Sequence, residues 1–139
     1  MNQTDISSVN IEYKKINFVR KEQQRVGRKV DITYHIETRW GLHSFKQDGK
    51  AVKFLIFYKF LSSIIDIELE CILAIQFSRA FTSDDLQNHE NQKVCVLESV
   101  PYILQVIPEI TGKMGFTPIF ISESTVTNMI NNAQSSSSS

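Results

Sequence analysis

Apolar residues recur at every second position through most of the first half of the chain. The clearest run covers residues 32–42, where Ile, Tyr, Ile, Thr, Trp and Leu alternate with polar or charged residues. A period of two is that of a β-strand with one apolar and one polar face. Residues 11–18 also alternate, with a one-residue slip between Tyr13 and Ile16 that predicts a β-bulge.

Two further strands are predicted downstream of these. Residues 52–61 are apolar on both faces, and residues 67–77 alternate again. The Asp48 and Gly49 pair predicts a hairpin turn before the third strand, because this pair supplies the positive φ that such turns need. The links are short and contain no helical pattern, so we expect a four-stranded antiparallel meander.

The period changes after Phe81. Residues 82–92 are polar and acidic, which is typical of a loop or of the first turn of a helix. Apolar residues over 94–114 are spaced by three and four, which predicts a long amphipathic helix. Pro101 and Pro108 lie inside this pattern and should kink the helix.

The C-terminal part predicts one more helix, capped by Ser124 and ending near residue 133. The fold class is therefore α+β, with a four-stranded antiparallel meander sheet followed by a long kinked helix and a short C-terminal helix. We expect a single domain over residues 10–133. Residues 1–9 should form a flexible N-terminus, and the serine run at 134–139 a disordered tail.

Composition limits the compartment and the partners. Among 139 residues, Lys+Arg and Asp+Glu both number 15, so the chain lacks the positive charge on which nucleic-acid binders rely. Cys71 and Cys95 lie in apolar runs, which fits a reducing compartment. The most apolar run, residues 54–67, contains Lys59 and Asp66 and is too short to span a bilayer. We expect a cytoplasmic protein without a membrane span.

No motif for catalysis, cofactor binding or metal binding is present in the sequence. His89 and Cys95 are a conceivable base and nucleophile, but six residues place them on different helix faces, and Cys95 lies among valines. His35 and His43 share the polar side of their strand and are interpreted as surface residues. We therefore expect a protein that is not an enzyme.

Two charged clusters have simple structural explanations. The acidic segment around Asp84, Asp85, His89 and Glu90 matches no calcium-binding loop and favours capping of a helix N-terminus. The basic stretch over residues 14–29 has Glu12 just before it and Glu22 within it. It also lacks the aromatic pattern of proteins that bind single-stranded nucleic acid. A lysine-protected edge strand explains it better than a nucleic-acid site.

The third strand carries more apolar surface than one sheet face can bury. A helix layer covers one face of a small sheet, so the other face of residues 54–61 requires a second partner. That partner is either another copy of the chain or a client polypeptide.

The order of these elements, together with several short segments, resembles the SecB family of protein-export chaperones. Residues 14–18 (KKINF) resemble the first strand of the family, and residues 30–34 (VDITY) resemble the second. Residues 100–104 (VPYIL) with 108–110 (PEI) are similar to its proline-containing long helix, and 115–120 (GFTPIF) to the loop that follows. The likeness covers residues 10–133.

This resemblance implies an ATP-independent chaperone that holds unfolded preproteins in apolar grooves for export. Family members are homotetramers, built as a dimer of dimers, and pass clients to the SecA motor. By match to the strand and loop that line the groove in the family, the implied polypeptide-binding residues are Val30, Ile32, Tyr34, Phe116 and Phe120.

The sequence departs from the family where the motor docks. The family presents carboxylates on its sheet, whereas the matching first-strand positions here are Lys15 and Val19. Glu70 is the one possible motor-docking carboxylate retained. Relatives of this kind also occur with toxin–antitoxin pairs or as orphans, so a dedicated adaptor for a single antitoxin, or an orphan binding module, is the alternative.

Overall fold

The computed structural model describes residues 1–21 and 34–133. Four antiparallel strands form one sheet: β1 (Ile6–Arg20), β2 (Tyr34–Phe45), β3 (Ala51–Ser62) and β4 (Ile65–Phe77). A register shift between Tyr13 and Lys15 in β1 confirms the predicted bulge. Because of this bulge, Tyr13 and Ile16 both point to the same face, opposite Cys71 and Leu69.

The strand order is β1-β4-β3-β2, which differs from a simple meander. Strands β2 to β4 are consecutive neighbours as expected, but β1 pairs with β4 and lies at the opposite edge from β2. The reason is burial. Every inward-facing residue of β4 is buried, whereas Ile36 is the one buried residue of β2. This order therefore places the more apolar β4 in the sheet interior and the more polar β2 at an edge.

The N-terminal residues are part of the sheet layer. A 3₁₀ turn at Gln3–Asp5 is capped by Asn2, and β1 starts directly after it at Ile6. Asp5 accepts a hydrogen bond from Arg79 at 3.0 Å, which joins this turn to the end of β4. Residues 6–9 are therefore the start of β1, and the serine run at 134–139 lies outside the described residues.

The helical half contains α1 (Ser83–Gln87), α2 (His89–Val96), α3 (Val100–Lys113) and α4 (Glu123–Asn132). A 3₁₀ turn at Leu97–Ser99 joins α2 to α3, so His89–Lys113 is one helical rod of 25 residues. This turn precedes Pro101, whose nitrogen cannot donate the next helical hydrogen bond. Thr82 and Asn88 cap α1 and α2, so the second of the two alternatives predicted for residues 82–92, the start of a helix, is the one observed.

The cap of α4 lies two residues earlier than predicted. The backbone N–H of Thr125 donates to Ser122 Oγ at 3.2 Å, so Ser122 caps the helix and Ser124 lies inside it. Both residues are serines and have the same intrinsic propensity to cap a helix. Ser122 is the cap because its backbone is extended, as a capping residue requires.

The helices pack on one face of the sheet, which we call the inner face. Alternate residues of β3 from Val52 to Ser62 are buried there, and Ile103 and Ile107 of α3 contact this layer. The Tyr58 hydroxyl shares a hydrogen bond with Ser99, which fixes the 3₁₀ turn to β3. Burial raises the pKa of Tyr58 far above its ordinary value, so its hydroxyl stays neutral.

The rod His89–Lys113 is long and apolar enough to cross a bilayer by length and composition. However, 44% of its most apolar window is buried within the fold, and its apolar side contacts the sheet. The central helix of a protein core has the same properties.

Candidate functional site

The second half of β1 leaves apolar side chains open on the inner face. Ile16 lies opposite Leu69 and Phe18 opposite Ile67, so all four side chains point to the helix side. Leu69 and Ile67 are buried, but Ile16 and Phe18 are 41% and 46% exposed. The helices therefore cover β4 and stop short of this part of β1.

The segment between α3 and α4 lies beside the same end of β1. The Arg20 guanidinium stacks on the ring of Phe116, with 4.7 Å from its carbon to the ring centroid. Ile119 and Ile121 point into the core, whereas Phe120 between them is 76% exposed. The segment thus presents Phe120 to solvent, and Phe116 adjoins the end of β1.

Thr111 holds this segment in place from within the core. Its backbone carbonyl accepts a hydrogen bond from Phe116 N–H at 3.1 Å. Its hydroxyl accepts another from Ile119 N–H at 2.8 Å and donates to Ile107 O at 2.9 Å. The side chain is fully buried, so both side-chain bonds are shielded from water.

Replacing this hydroxyl by a methyl group is expected to be costly. Thr111→Val keeps the shape but leaves the Ile119 N–H buried without an acceptor, so the free energy of unfolding should fall by about 2 kcal/mol. Urea unfolding measures this change. Thr127→Val is the matched control, because Thr127 makes no side-chain hydrogen bond in the described part of the chain; an equal loss in both variants would contradict the role of Thr111.

Tyr34 lies at the other edge of the sheet from Phe116. It is the first residue of β2 and stacks on Phe60 with ring centroids 5.5 Å apart. Phe60 is opposite Ile67, which is opposite Phe18, so Tyr34 and Phe18 lie near the same end of the sheet. Three strand spacings separate β1 from β2, roughly 14 Å. Val30 and Ile32 lie outside the described residues.

A hollow of about 1030 Å³ runs along β2 next to α4. On the inner face it is lined by Tyr34, Ile36 and Thr38 of β2 and by Met129 of α4. It continues around the edge of β2 to residues of the opposite face. Since neighbouring residues of a strand point to opposite faces, this volume describes two connected surfaces and not one enclosed cavity.

The opposite, outer face carries charges of both signs. Glu70 is opposite Phe57 on one side and Lys15 on the other. The next row pairs Lys59 with Glu68 at 3.8 Å, and exposed pairs of this kind contribute little to stability. Glu70 therefore belongs to a mixed surface and not to an acidic one.

The residues considered for catalysis are separated. Cys95 is buried with its Sγ 3.5 Å from Met1 Sδ, and burial raises its pKa to about 12. His89 instead stacks on Trp40, with ring centroids 5.4 Å apart. A thiol of this kind is not ionised at neutral pH, and no base contacts it in the described residues.

Both cysteines are expected to react with a thiol reagent only after unfolding. Burial raises the pKa of Cys71 to about 12 as well, while an unfolded thiol titrates near roughly 8.5. The contribution of the neutral thiols to stability is complete below the unfolded pKa and is lost as pH rises toward 12. Native modification at about pH 8 as fast as modification in urea would contradict this assignment.

The acidic segment serves as a helix cap, as predicted. Asp85 and Thr82 form a reciprocal capping box at the start of α1, and this arrangement lowers the pKa of Asp85. Within residues 1–21 and 34–133, no group of three His, Cys, Asp or Glu side chains is placed to hold a metal ion.

A comparison with solved structures finds a close likeness in backbone. A SecB-like chaperone from Mycobacterium tuberculosis, solved in complex with a ChAD peptide from an antitoxin, matches with a TM-score of 0.68. The match covers 84% of this chain and 88% of that one at 13% identity. The chain has a SecB-like fold. The SecB-like order of a four-stranded antiparallel sheet, a long helix and a C-terminal helix is thereby confirmed, with the β1 position as described above.

The other comparisons add little. A protein of unknown function from Streptococcus agalactiae matches with a TM-score of 0.46, 10% identity and coverage of 83% of this chain and 97% of that one. No protein-family model matches the chain, and no curated protein does. The SecB-like assignment therefore describes the fold, and function follows from the site.

Sequence reasoning did not select Ile16 and Phe18 as site residues. Their alternation is the same as that of a buried strand face, and exposure depends on how far the helices extend across the sheet. The missing information was how much of the sheet the helices cover, which depends on the packing of the whole fold and not on the alternation within one strand.

Proposed function

We propose that this SecB-like chain is an ATP-independent chaperone that holds unfolded polypeptides for export in the cytoplasm. The observation that supports it is the exposure of Ile16 and Phe18 on the inner face of β1 and of Phe120 in the segment that adjoins the same end of β1. We call these three residues the β1 surface. Soluble proteins seldom leave several large apolar side chains exposed together without a partner.

The chemistry of such a surface suits an unfolded client. Aromatic and aliphatic walls gain free energy by burying the apolar side chains of a client, and this attraction does not depend on its sequence. The adjoining edge of β1 can also pair with the free backbone groups of an extended segment. In this proposal Tyr34 extends the groove at the other edge, and Phe116 extends it beside Arg20. Val30 and Ile32 belong to the proposed groove by the family resemblance alone.

The assembly that we propose is a homotetramer, built as a dimer of dimers. β1 is an edge strand of 15 residues with no strand beside its outer edge in the described part of the chain, and such an edge favours pairing with another copy. Such pairing would compete with clients for part of the β1 surface. A mass measurement in solution, with and without an unfolded client, tests both proposals at once.

The alternative is a dedicated adaptor for a single antitoxin. It is favoured by the solved SecB-like neighbour, which carries an antitoxin peptide. The mixed charge around Glu70 also supports this alternative, because a docking surface for SecA of the family type is acidic. Selective capture of one antitoxin, with no binding of general unfolded proteins, would favour the adaptor.

Light scattering of an aggregating client tests the chaperone directly. A chemically unfolded protein is diluted into buffer with and without a molar excess of this chain, in the absence of ATP. Suppressed scattering and a stable complex by size exclusion are expected. If scattering is unchanged and no complex forms, the chaperone proposal fails.

A further inference from the structure

A second hollow lies on the outer face, away from the β1 surface. Gly41 of β2 is opposite Leu55 of β3 on this face, and a side chain added at Gly41 would meet no atom within 4 Å. The space above it is an open hollow of about 540 Å³ with Leu55 and Phe57 as its floor. Because Gly41 has no side chain, the apolar side chains of Leu55 and Phe57 are accessible here, and a larger residue at position 41 would cover them.

One cation lines this hollow, and a second lies beside it. Arg39 lies two residues before Gly41 on the same face, and its guanidinium stacks over Phe57 at 4.6 Å. Lys53 lies two residues before Leu55 and is exposed. Within the described residues neither Arg39 nor Lys53 forms an ion pair, and no carboxylate lines the hollow. An occupant with carboxylates is the electrostatic complement of this rim.

The edge of β2 supplies hydrogen-bonding groups for the same occupant. β2 pairs only with β3 in the described sheet, so its outer N–H and C=O groups have no strand partner there. A register shift between Leu42 and Ser44 bulges the strand next to the hollow, and bulges of this kind occur at sheet edges and binding sites.

We propose that this edge is a docking site for an extended acidic segment of a partner polypeptide. The segment adds as a strand beside β2 and places one apolar side chain in the space above Gly41. Side chains two residues away lie on the same face, so one carboxylate reaches Arg39 in the lining and the other points toward Ser44 and Lys53, which lie beside the hollow. The recognised pattern is acidic, any, apolar, any, acidic.

A labelled peptide with the core Glu-Thr-Phe-Thr-Glu is the probe for this site. Fluorescence anisotropy on the full chain should show binding that weakens with added salt, because the charges at the rim are exposed. A peptide with Lys in place of both Glu residues is expected to bind at least tenfold more weakly. Equal binding of the two peptides, or no binding of the acidic one, would overturn the proposal.

Gly41→Val is the decisive variant because a Cβ at this position would meet no atom within 4 Å and the side chain extends into the hollow. A β-branched residue suits a strand, so the variant should fold at least as well as the parent chain. Binding of the acidic peptide should fall at least tenfold, while suppression of client aggregation stays unchanged. Arg39→Gln should weaken binding several-fold and reduce its salt dependence. Unchanged peptide binding by Gly41→Val, or parallel loss of client holding, would refute a separate site on β2.

Discussion

Gly49→Ala is expected to lower the free energy of unfolding by about 3 kcal/mol or more. Gly49 has a φ of +73° in the turn between β2 and β3, where a side chain costs about 1–2 kcal/mol. A Cβ there would also lie 2.1 Å from the carbonyl oxygen of Phe81, a backbone atom that cannot turn away. Relief of this overlap requires a backbone shift and adds about 1–3 kcal/mol.

Gly115→Ala separates the two contributions. Gly115 has a φ of +88°, but a Cβ there would meet no atom within 4 Å. The free energy of unfolding of this variant should therefore fall only by the cost of a positive φ at a residue with a side chain, about 1–2 kcal/mol. Urea unfolding followed by the fluorescence of Trp40 measures both variants. Equal losses at the two glycines would show that the contact with Phe81 does not matter.

The Gly49 turn illustrates what sequence can and cannot predict. The Asp48 and Gly49 pair predicts the hairpin, and the positive φ of Gly49 agrees. The contact with Phe81 is not visible in the sequence, because 32 residues separate the two in the chain. Phe81 N–H donates to Gly49 O at 2.9 Å, and its ring packs edge-on against Phe77. The turn is thus also the docking point for the segment that leads into α1.

The sequence periodicity predicted the positions of the strands in the chain more reliably than it predicted which strands pair with each other. Alternation identifies strands and their faces, because a strand with one buried face must alternate. It carries no information on which strand pairs with which, so the short-link rule placed β1 beside β2. The pairing of β1 with β4 depends on total burial, a property of the whole sheet.

The sequence explained only part of the excess of apolar residues in β3. Val52, Phe54, Ile56, Tyr58 and Phe60 form the inner layer under the helices. The apolar residues between them, including Leu55 and Phe57, lie half-buried on an outer face without helices in the described structure. The sequence correctly predicted a second apolar face, but its charged surroundings and the gap at Gly41 required the sheet register.

The groove assignment stays a prediction, and the structure gives only the positions of three of its residues. Phe120 is exposed, and Phe116 adjoins the end of β1. Tyr34 lies at the opposite sheet edge and stacks on Phe60, so it does not contact the other two. The strongest exposed pair on the inner face, Ile16 and Phe18, came from the register and not from the resemblance.

Removal of the two exposed rings of the β1 surface is expected to weaken client binding by roughly tenfold for each ring. The double variant Phe18→Ser and Phe120→Ser removes rings that are 46% and 76% exposed in the chain and that a bound client would bury. Partial burial of a phenyl ring contributes about 1.5 kcal/mol, which corresponds to about tenfold in Kd. Because both rings are exposed in the chain, their removal leaves no cavity, and the fold should persist.

Phe45→Ser is the matched control for this double variant. Phe45 is 40% exposed and also faces the inner side, but it lies at the other end of the sheet, opposite Val52. Eight residues of β3 separate Val52 from Phe60, so the control is roughly 26 Å away from the Phe18 end. Anisotropy with a labelled unfolded client measures Kd, and light scattering measures the protection from aggregation.

The mass of each variant in solution decides how the result is interpreted. Weaker client binding at an unchanged oligomer mass would support a client surface formed by Phe18 and Phe120. A smaller oligomer together with lost binding would instead assign these side chains to the contact between copies of the chain. Client binding that is as tight in the double variant as in Phe45→Ser would contradict the β1 surface as the site of chaperone action. Such a result would mean that the exposed rings of Phe18 and Phe120 contribute nothing to holding a client.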